Sequence, residues 1–186
     1  MGFLDSDGGI GRTLISETDL QRRIAQLGAE ITADYAGRRP LLVCVLRGAY
    51  AFMTDLSRKI DLPLEIDFIA VSSYGSSTST SGVVRLVKDL EQDIAGRDVI
   101  LIEDIVDSGL TLRYLRRNFE ARGPATFEVC SLLARERSDL DALGVTYCGF
   151  SIGDEFVIGY GLDVDQRYRN LGHLAIYDPA NDPLAS

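Results

Sequence analysis

The chain has 186 residues, 46% hydrophobic and 25% charged, with a net charge of −9. That length fits one domain over residues 1–186 with a substantial core, and no apolar run approaches a membrane span. The acidic balance argues against nucleic acid as a partner, because a phosphate backbone demands a basic face, yet it leaves open a small anionic substrate held by a few local cations.

Residues 1–14 are rich in Gly and Asp and are expected to form a loose N-terminal arm. The stretch lacks the basic start and long apolar run of a secretory signal, and its Met-Gly start is a weak match to a myristoylation signal. Ser16-Glu17-Thr18-Asp19 reads as a helix start capped by Ser16 or Thr18. Leu20, Ile24, Leu27, Ile31 and Tyr35 then recur at helical spacing, and Gly37 and Pro40 close the helix. Residues 41–46 are wholly apolar, as in a buried strand. Arg47-Gly48-Ala49 follows, then a second amphipathic helix to about residue 60. Another strand is expected over 65–72. Residues 74–82 are low in complexity and are expected to be a mobile loop of the kind that covers active sites. A strand resumes over 83–87.

Val99-Ile100-Leu101-Ile102 is a second apolar strand, and it runs into Glu103-Asp104-Ile105-Val106-Asp107-Ser108-Gly109-Leu110-Thr111. A helix is expected over 111–122, opened by Ser108 and Thr111 and ended by Gly123-Pro124. Further strands are expected over 127–133, 146–150 and 156–160. The alternation of strand and helix from 41 to 133 predicts an α/β fold with a mainly parallel sheet. Cys44, Cys130 and Cys148 cannot all pair within one chain and lack metal-site spacing. They read as buried free thiols in a reducing cytoplasm.

Ligands of such sheets bind beyond the carboxyl ends of the strands. One strand end offers Arg47 as a cation and Gly48, which lets backbone amides approach an anion. The other offers a helix N-terminus with two hydroxyls, a phosphate cradle. Carboxylates beside that cradle would repel bare phosphate, but they suit sugar hydroxyls, a metal ion or a developing cation. A phosphorylated sugar with anionic groups at both ends fits the pair.

The Glu103-Asp104-x-x-Asp107-Ser108-Gly109-x-Thr111 segment resembles the phosphoribosyl pyrophosphate signature of type I phosphoribosyltransferases. Leu46-Arg47-Gly48, Ser72-Ser73-Tyr74-Gly75 and the segment from Phe156 to Asp163, with Gln166-Arg167-Tyr168-Arg169 behind it, resemble the hypoxanthine (guanine) branch. The match runs in order from about residue 15 to 178. It implies the type I phosphoribosyltransferase fold, with helices flanking the sheet and a small hood built from both chain ends. It also implies transfer of phosphoribose from phosphoribosyl pyrophosphate to hypoxanthine or guanine. A xanthine-preferring enzyme or a non-catalytic sensor of the same donor are the alternatives.

By the same resemblance, Glu103 and Asp104 would steady the ribose hydroxyls and, with Asp163, magnesium. Asp107 would take the purine N7 proton. Ile105, Val106, Ser108, Gly109, Leu110 and Thr111 would bind the donor, the last four at its 5'-phosphate. Arg47, Gly48 and Arg169 would hold pyrophosphate. Phe156 would stack on the base, the Val157 backbone and the backbone about Asp163 would meet its edges, and Ser73 and Tyr74 would close over the reaction. A homodimer or homotetramer is implied too. Where the family usually has a lysine for the purine 6-oxo group, this chain has Arg135, and Arg137 takes that place if the register slips. His173, the only histidine, lies outside every motif.

Overall fold

The computed structural model describes residues 8–74 and 83–184. Its centre is a six-stranded sheet of β2 (Leu41–Leu46), β3 (Glu65–Tyr74), β4 (Val83–Lys88), β5 (Asp98–Val106), β6 (Thr126–Arg135) and β7 (Val145–Ile152), in the order β4-β3-β2-β5-β6-β7. All neighbouring pairs are parallel except the edge pair of β3 and β4. β2 therefore lies between β3 and β5, where the order of winding reverses. That reversal opens a crevice at the carboxyl ends of β2 and β5.

Helix α1 (Glu17–Asp34) is capped by Ser16, whose Oγ accepts the Asp19 N–H at 3.1 Å. Of the two expected caps, Ser16 is the one used. Leu20, Ile24, Leu27 and Ile31 on its apolar face are fully buried against β2 and α2 (Tyr50–Ser57). Each such side chain contributes about 1.5–3 kcal/mol. On the other face of the sheet, α3 (Leu110–Glu120) packs Leu112, Leu115 and Phe119 over Val43, Leu101 and Val129. No helix among the described residues is long and apolar enough to cross a membrane.

A second, antiparallel sheet has the order β1-β9-β8, from β1 (Ile10–Ile15), β8 (Val157–Ile158) and β9 (Leu174–Tyr177). It is the hood expected from both chain ends. Two expectations are corrected here. Residues 10–14 are not a loose arm: they pair with β9, from Ile10 opposite Tyr177 to Ile15 opposite Leu174. Register shifts on both sides of Thr13 break the alternation that would have marked a strand. The strand expected over 156–160 is only two residues long, because Gly159, Tyr160 and Gly161 have φ of 98°, 48° and 101° and turn the chain. Residues 1–7 of the arm and 75–82 of the expected covering loop lie outside the described residues.

Smaller differences follow from tertiary pairing. β5 runs on to Val106, because β6 continues beside it to Ala134. Glu103 and Asp104 are therefore strand residues, not loop residues. α2 stops at Ser57, and a short α4 (Leu140–Leu143) precedes β7. α3 begins at Leu110, behind Gly109.

Candidate active site

Successive residues of a strand face opposite sides of a sheet. Extending β5 through Asp104 thus sends the two acids apart. Glu103 lines a cleft of about 340 Å³ whose remaining wall is residues 105–112. Asp104 lies over the loop after β2: a Cβ added at Gly48 would come within 1.4 Å of Asp104 Oδ2. Both carboxyls are held above the ordinary carboxylate range. Burial is the main cause for each, and for Glu103 the neighbouring Asp104 charge adds to it. Asp104 is raised to about 6 against the opposing hydrogen bond from the Ile105 N–H at 2.7 Å.

At the end of the cleft, α3 starts without a side-chain cap. Its N-cap is Gly109, with φ 74°, and a Cβ there would strike Leu143 at 2.4 Å. Ser108 and Thr111, expected to open the helix, do not cap it. Ser108 Oγ comes only to 3.5 Å from the Leu110 N–H. The first-turn amides and both hydroxyls therefore face the cleft as an anion cradle. Asp107 is not a helix cap either. It is exposed, and its Oδ1 accepts Arg137 Nη2 at 2.5 Å. Arg137 also pairs with Asp154 through Nη1, and Ser138 Oγ donates to the Asp107 carbonyl at 2.7 Å. Arg137 thus links the loop after β5 to the loop after β7 through two carboxylates.

Across the crevice, the loop after β2 brings Arg47 and Gly48 against the turn after β8. The Leu46–Arg47 peptide is cis. Gly161 approaches so closely that a Cβ on it would lie 2.1 Å from the Gly48 carbonyl oxygen. Arg169 Nη1 donates to the Gly161 carbonyl at 2.7 Å, and its Nη2 lies 2.7 Å from Asp163 Oδ1. Arg47 and Arg169 both donate to Gln166 Oε1. The fold therefore brings Arg47, Gly48, Asp104, Asp163 and Arg169 together. The Arg169 charge lowers the Asp104 carboxyl while that of Asp163 raises it.

The third wall is the end of β6 and the hood. Arg135 is half-buried, and its Nη1 donates to the carbonyls of Gly153 and Glu155, the latter at 2.9 Å. Its Nε, and Glu155 Oε2, are buried without a partner. The loop it grips leads into Phe156 and Val157. Val157 is buried on β8, while Phe156 is 54% exposed, its ring 5.7 Å from that of Tyr177. An exposed ring beside a buried strand is free to stack. Ser73 and Tyr74 close β3, opposite Val84 and Val83, next to the expected covering loop.

Gln166 and Tyr160 were not singled out from the sequence, and Arg137, named there as the alternative contact for the 6-oxo group, is found paired with Asp107 and Asp154. Tyr160 is buried and donates to Asp55 Oδ2 at 2.6 Å, an oxygen that also accepts Gln21 Nε2. This ties the turn after β8 to α2 and α1. Asp55 lies 105 positions from Tyr160, and no local pattern signals such a link.

No group of three or more His, Cys, Asp or Glu side chains forms a metal cage among the described residues. Magnesium does not require one, since it takes one or two carboxylates and fills its shell with water and substrate oxygens. The oxygen donors of Glu103, Asp104 and Asp163, with the Asp163 charge raising the Asp104 carboxyl, fit such an ion.

A family model described as a phosphoribosyl transferase domain matches residues 16–165. The hypoxanthine-guanine phosphoribosyltransferase of Mycobacterium tuberculosis is 49% identical over 178 residues, covering 92% of this chain and 88% of that protein. The Bacillus subtilis enzyme of the same name is 45% identical over 171 residues, covering 92% and 95%. A crystal structure of a hypoxanthine-guanine phosphoribosyltransferase from Bacillus anthracis superposes with a TM-score of 0.84 at 42% identity, covering 91% of this chain and 99% of that one.

Proposed function

The chain belongs to the hypoxanthine-guanine phosphoribosyltransferases of the phosphoribosyl transferase family, and from that membership we propose how its residues divide the work of 6-oxopurine salvage. The reaction moves the 5-phosphoribosyl group of phosphoribosyl pyrophosphate to N9 of hypoxanthine or guanine. The C1'–N9 bond forms, the bond from C1' to pyrophosphate breaks, and the base gives up a proton. The products are IMP or GMP and pyrophosphate.

The observation that carries the proposal is the pair of facing anion sites, the uncapped start of α3 and the Arg47–Arg169 cluster, with Asp104 and Gly48 in contact between them. The amides and hydroxyls of Ser108, Gly109, Leu110 and Thr111 hold the 5'-phosphate. Arg47, Gly48 and Arg169 hold the departing pyrophosphate. Glu103 and Asp104 take the ribose hydroxyls between these sites. Positive charge builds on the sugar as the bond to pyrophosphate breaks, and buried carboxylates act on that charge more strongly than exposed ones. Magnesium, held through Glu103, Asp104 and Asp163, would neutralise phosphate charge.

Phe156 stacks on the base, the Val157 and Asp163 backbones meet its edges, and Arg135 donates to the 6-oxo group. Asp107, released from Arg137, accepts the N7 proton as N9 bonds to C1'. Ser73 and Tyr74 help exclude water, which would otherwise hydrolyse the activated sugar. A homodimer or homotetramer in the cytoplasm, where the three thiols stay reduced, completes the reading; light scattering tests the assembly.

The deciding experiment is an initial-rate assay with phosphoribosyl pyrophosphate, magnesium and each of hypoxanthine, guanine, xanthine and adenine. IMP and GMP should form with equimolar pyrophosphate. No pyrophosphate release with any of the four bases would overturn the proposal.

A further inference from the structure

We propose that Gln166 is a positioning residue for the leaving group: it gathers Arg47 and Arg169 at one point and keeps their charge available to pyrophosphate. The inference rests on the phosphoribosyl transfer proposed above. One oxygen, Gln166 Oε1, accepts Arg47 Nη1 at 2.8 Å and Arg169 Nη2 at 3.1 Å. The Gln166 backbone N–H donates to Asp163 Oδ2 at 2.8 Å, and the other oxygen of Asp163 takes Arg169. The residue therefore touches both cations and the carboxylate beside them. It reaches Arg47 from 119 positions away, joining the loop after β2 to the segment that precedes β9.

Two guanidinium groups brought to one point repel each other unless an acceptor lies between them. A carboxylate would be the stronger acceptor, but it would also spend the charge. Asp163 is already paired with Arg169, and Asp104 lies within the field of the same guanidinium, so a carboxylate at position 166 would offset the cationic charge that remains at Arg47. The neutral amide aligns both forks and leaves that charge in place. Its oxygen sits where an anionic oxygen would accept from both arginines, and charge-assisted bonds to pyrophosphate are roughly twice as strong as those to an amide. Gln166 is exposed, so the incoming anion can displace its side chain without opening the core.

The test is calorimetric titration of pyrophosphate, without magnesium, into the wild-type protein and the Gln166→Glu and Gln166→Ala variants, paired with initial-rate kinetics. Gln166→Glu is nearly isosteric and should weaken pyrophosphate binding about tenfold, and Gln166→Ala about threefold. The donor KM should rise in step, while the KM for hypoxanthine stays within about twofold. Pyrophosphate binding to Gln166→Glu within about twofold of wild type would overturn the inference, as would an equal rise in both KM values. If the wild-type protein transferred to no base, the proposed function would fall, while the calorimetric comparison would still decide the role of Gln166.

Discussion

Gly48 sits directly beneath the carboxylate of Asp104, so close that a Cβ at Gly48 would overlap Asp104 Oδ2 at 1.4 Å and crowd its Cγ at 2.5 Å. The loop after β2 and the acidic end of β5 thus meet at a point with no room for a methyl group. Gly48→Ala should push Asp104 or the loop aside. Overpacking of this kind costs about 1–3 kcal/mol, and misplacing the groups proposed to hold both donor ends should lower kcat/KM by about a hundredfold. Thermal melts and steady-state kinetics would check both effects.

Asp104 itself should show opposed effects on stability and activity. It is half-buried beside Glu103 and within the field of Asp163, and its carboxyl is raised to about 6. Holding the anion there costs the fold stability at neutral pH. Asp104→Asn can still accept the Ile105 N–H, so at pH 7 without magnesium it should stabilise the protein by on the order of 1–2 kcal/mol. Transfer activity should fall by at least about a hundredfold. Chemical denaturation and rate assays on the same preparation would read both.

Asp107→Asn removes the proposed proton acceptor but leaves an oxygen for Arg137. The expectation is a loss of about 10²–10⁴ in kcat with the donor KM little changed. Normal kcat would remove Asp107 from the mechanism.

Arg135 grips the carbonyls of Gly153 and Glu155 just before Phe156 and Val157. Arg135→Ala should free that loop and leave its carbonyls without their donor, at about 1–3 kcal/mol. The KM for hypoxanthine and guanine should rise about tenfold or more while the donor KM holds. Unchanged kinetics for both bases would show that Arg135 neither reads the base nor sets its platform.

Acid should loosen the hood through Asp182. Its side chain is solvent-inaccessible and accepts both amino groups of Arg167, at 2.9 and 2.7 Å, and the Tyr177 hydroxyl at 2.6 Å. The Arg167 and Tyr177 hydrogen bonds hold its carboxyl well below the usual range. A carboxyl lowered on folding contributes stability that is present above its unfolded value, about 3.9. That stability is lost as pH falls through the folded value. Melts of wild type should therefore drop steeply below about pH 4, and Asp182→Asn should be weaker at pH 7 with a flatter acid limb.

The sheet and the donor loop were legible in the sequence because their signals are local. The apolar runs at 41–46 and 99–102 and the signature from Glu103 to Thr111 each fall within one element and its turn. The hood was not legible residue by residue. β1 and β9 gain their identity from each other across nearly the whole chain, and β1 carries bulges that erase its period. Gln166, and the partners of Arg137, were missed for a related reason. A polar residue in a polar segment announces nothing until the fold brings its partners, Arg47 in one case and Asp107 in the other, to within hydrogen-bond reach. Arg135 was found by the motif, but its grip on the loop of Gly153 and Glu155 was not.

The pairing of β1 with β9 also sets an order of assembly. Every strand of the six-stranded sheet precedes Gly153, so that half can form while the rest of the chain is still being synthesised. The hood has to wait, because Ile10 finds its partner only when Tyr177 has emerged. Contacts so distant in sequence form late, and the cradle at the start of α3 is complete on the nascent chain before Arg169, on the opposite wall, has been made.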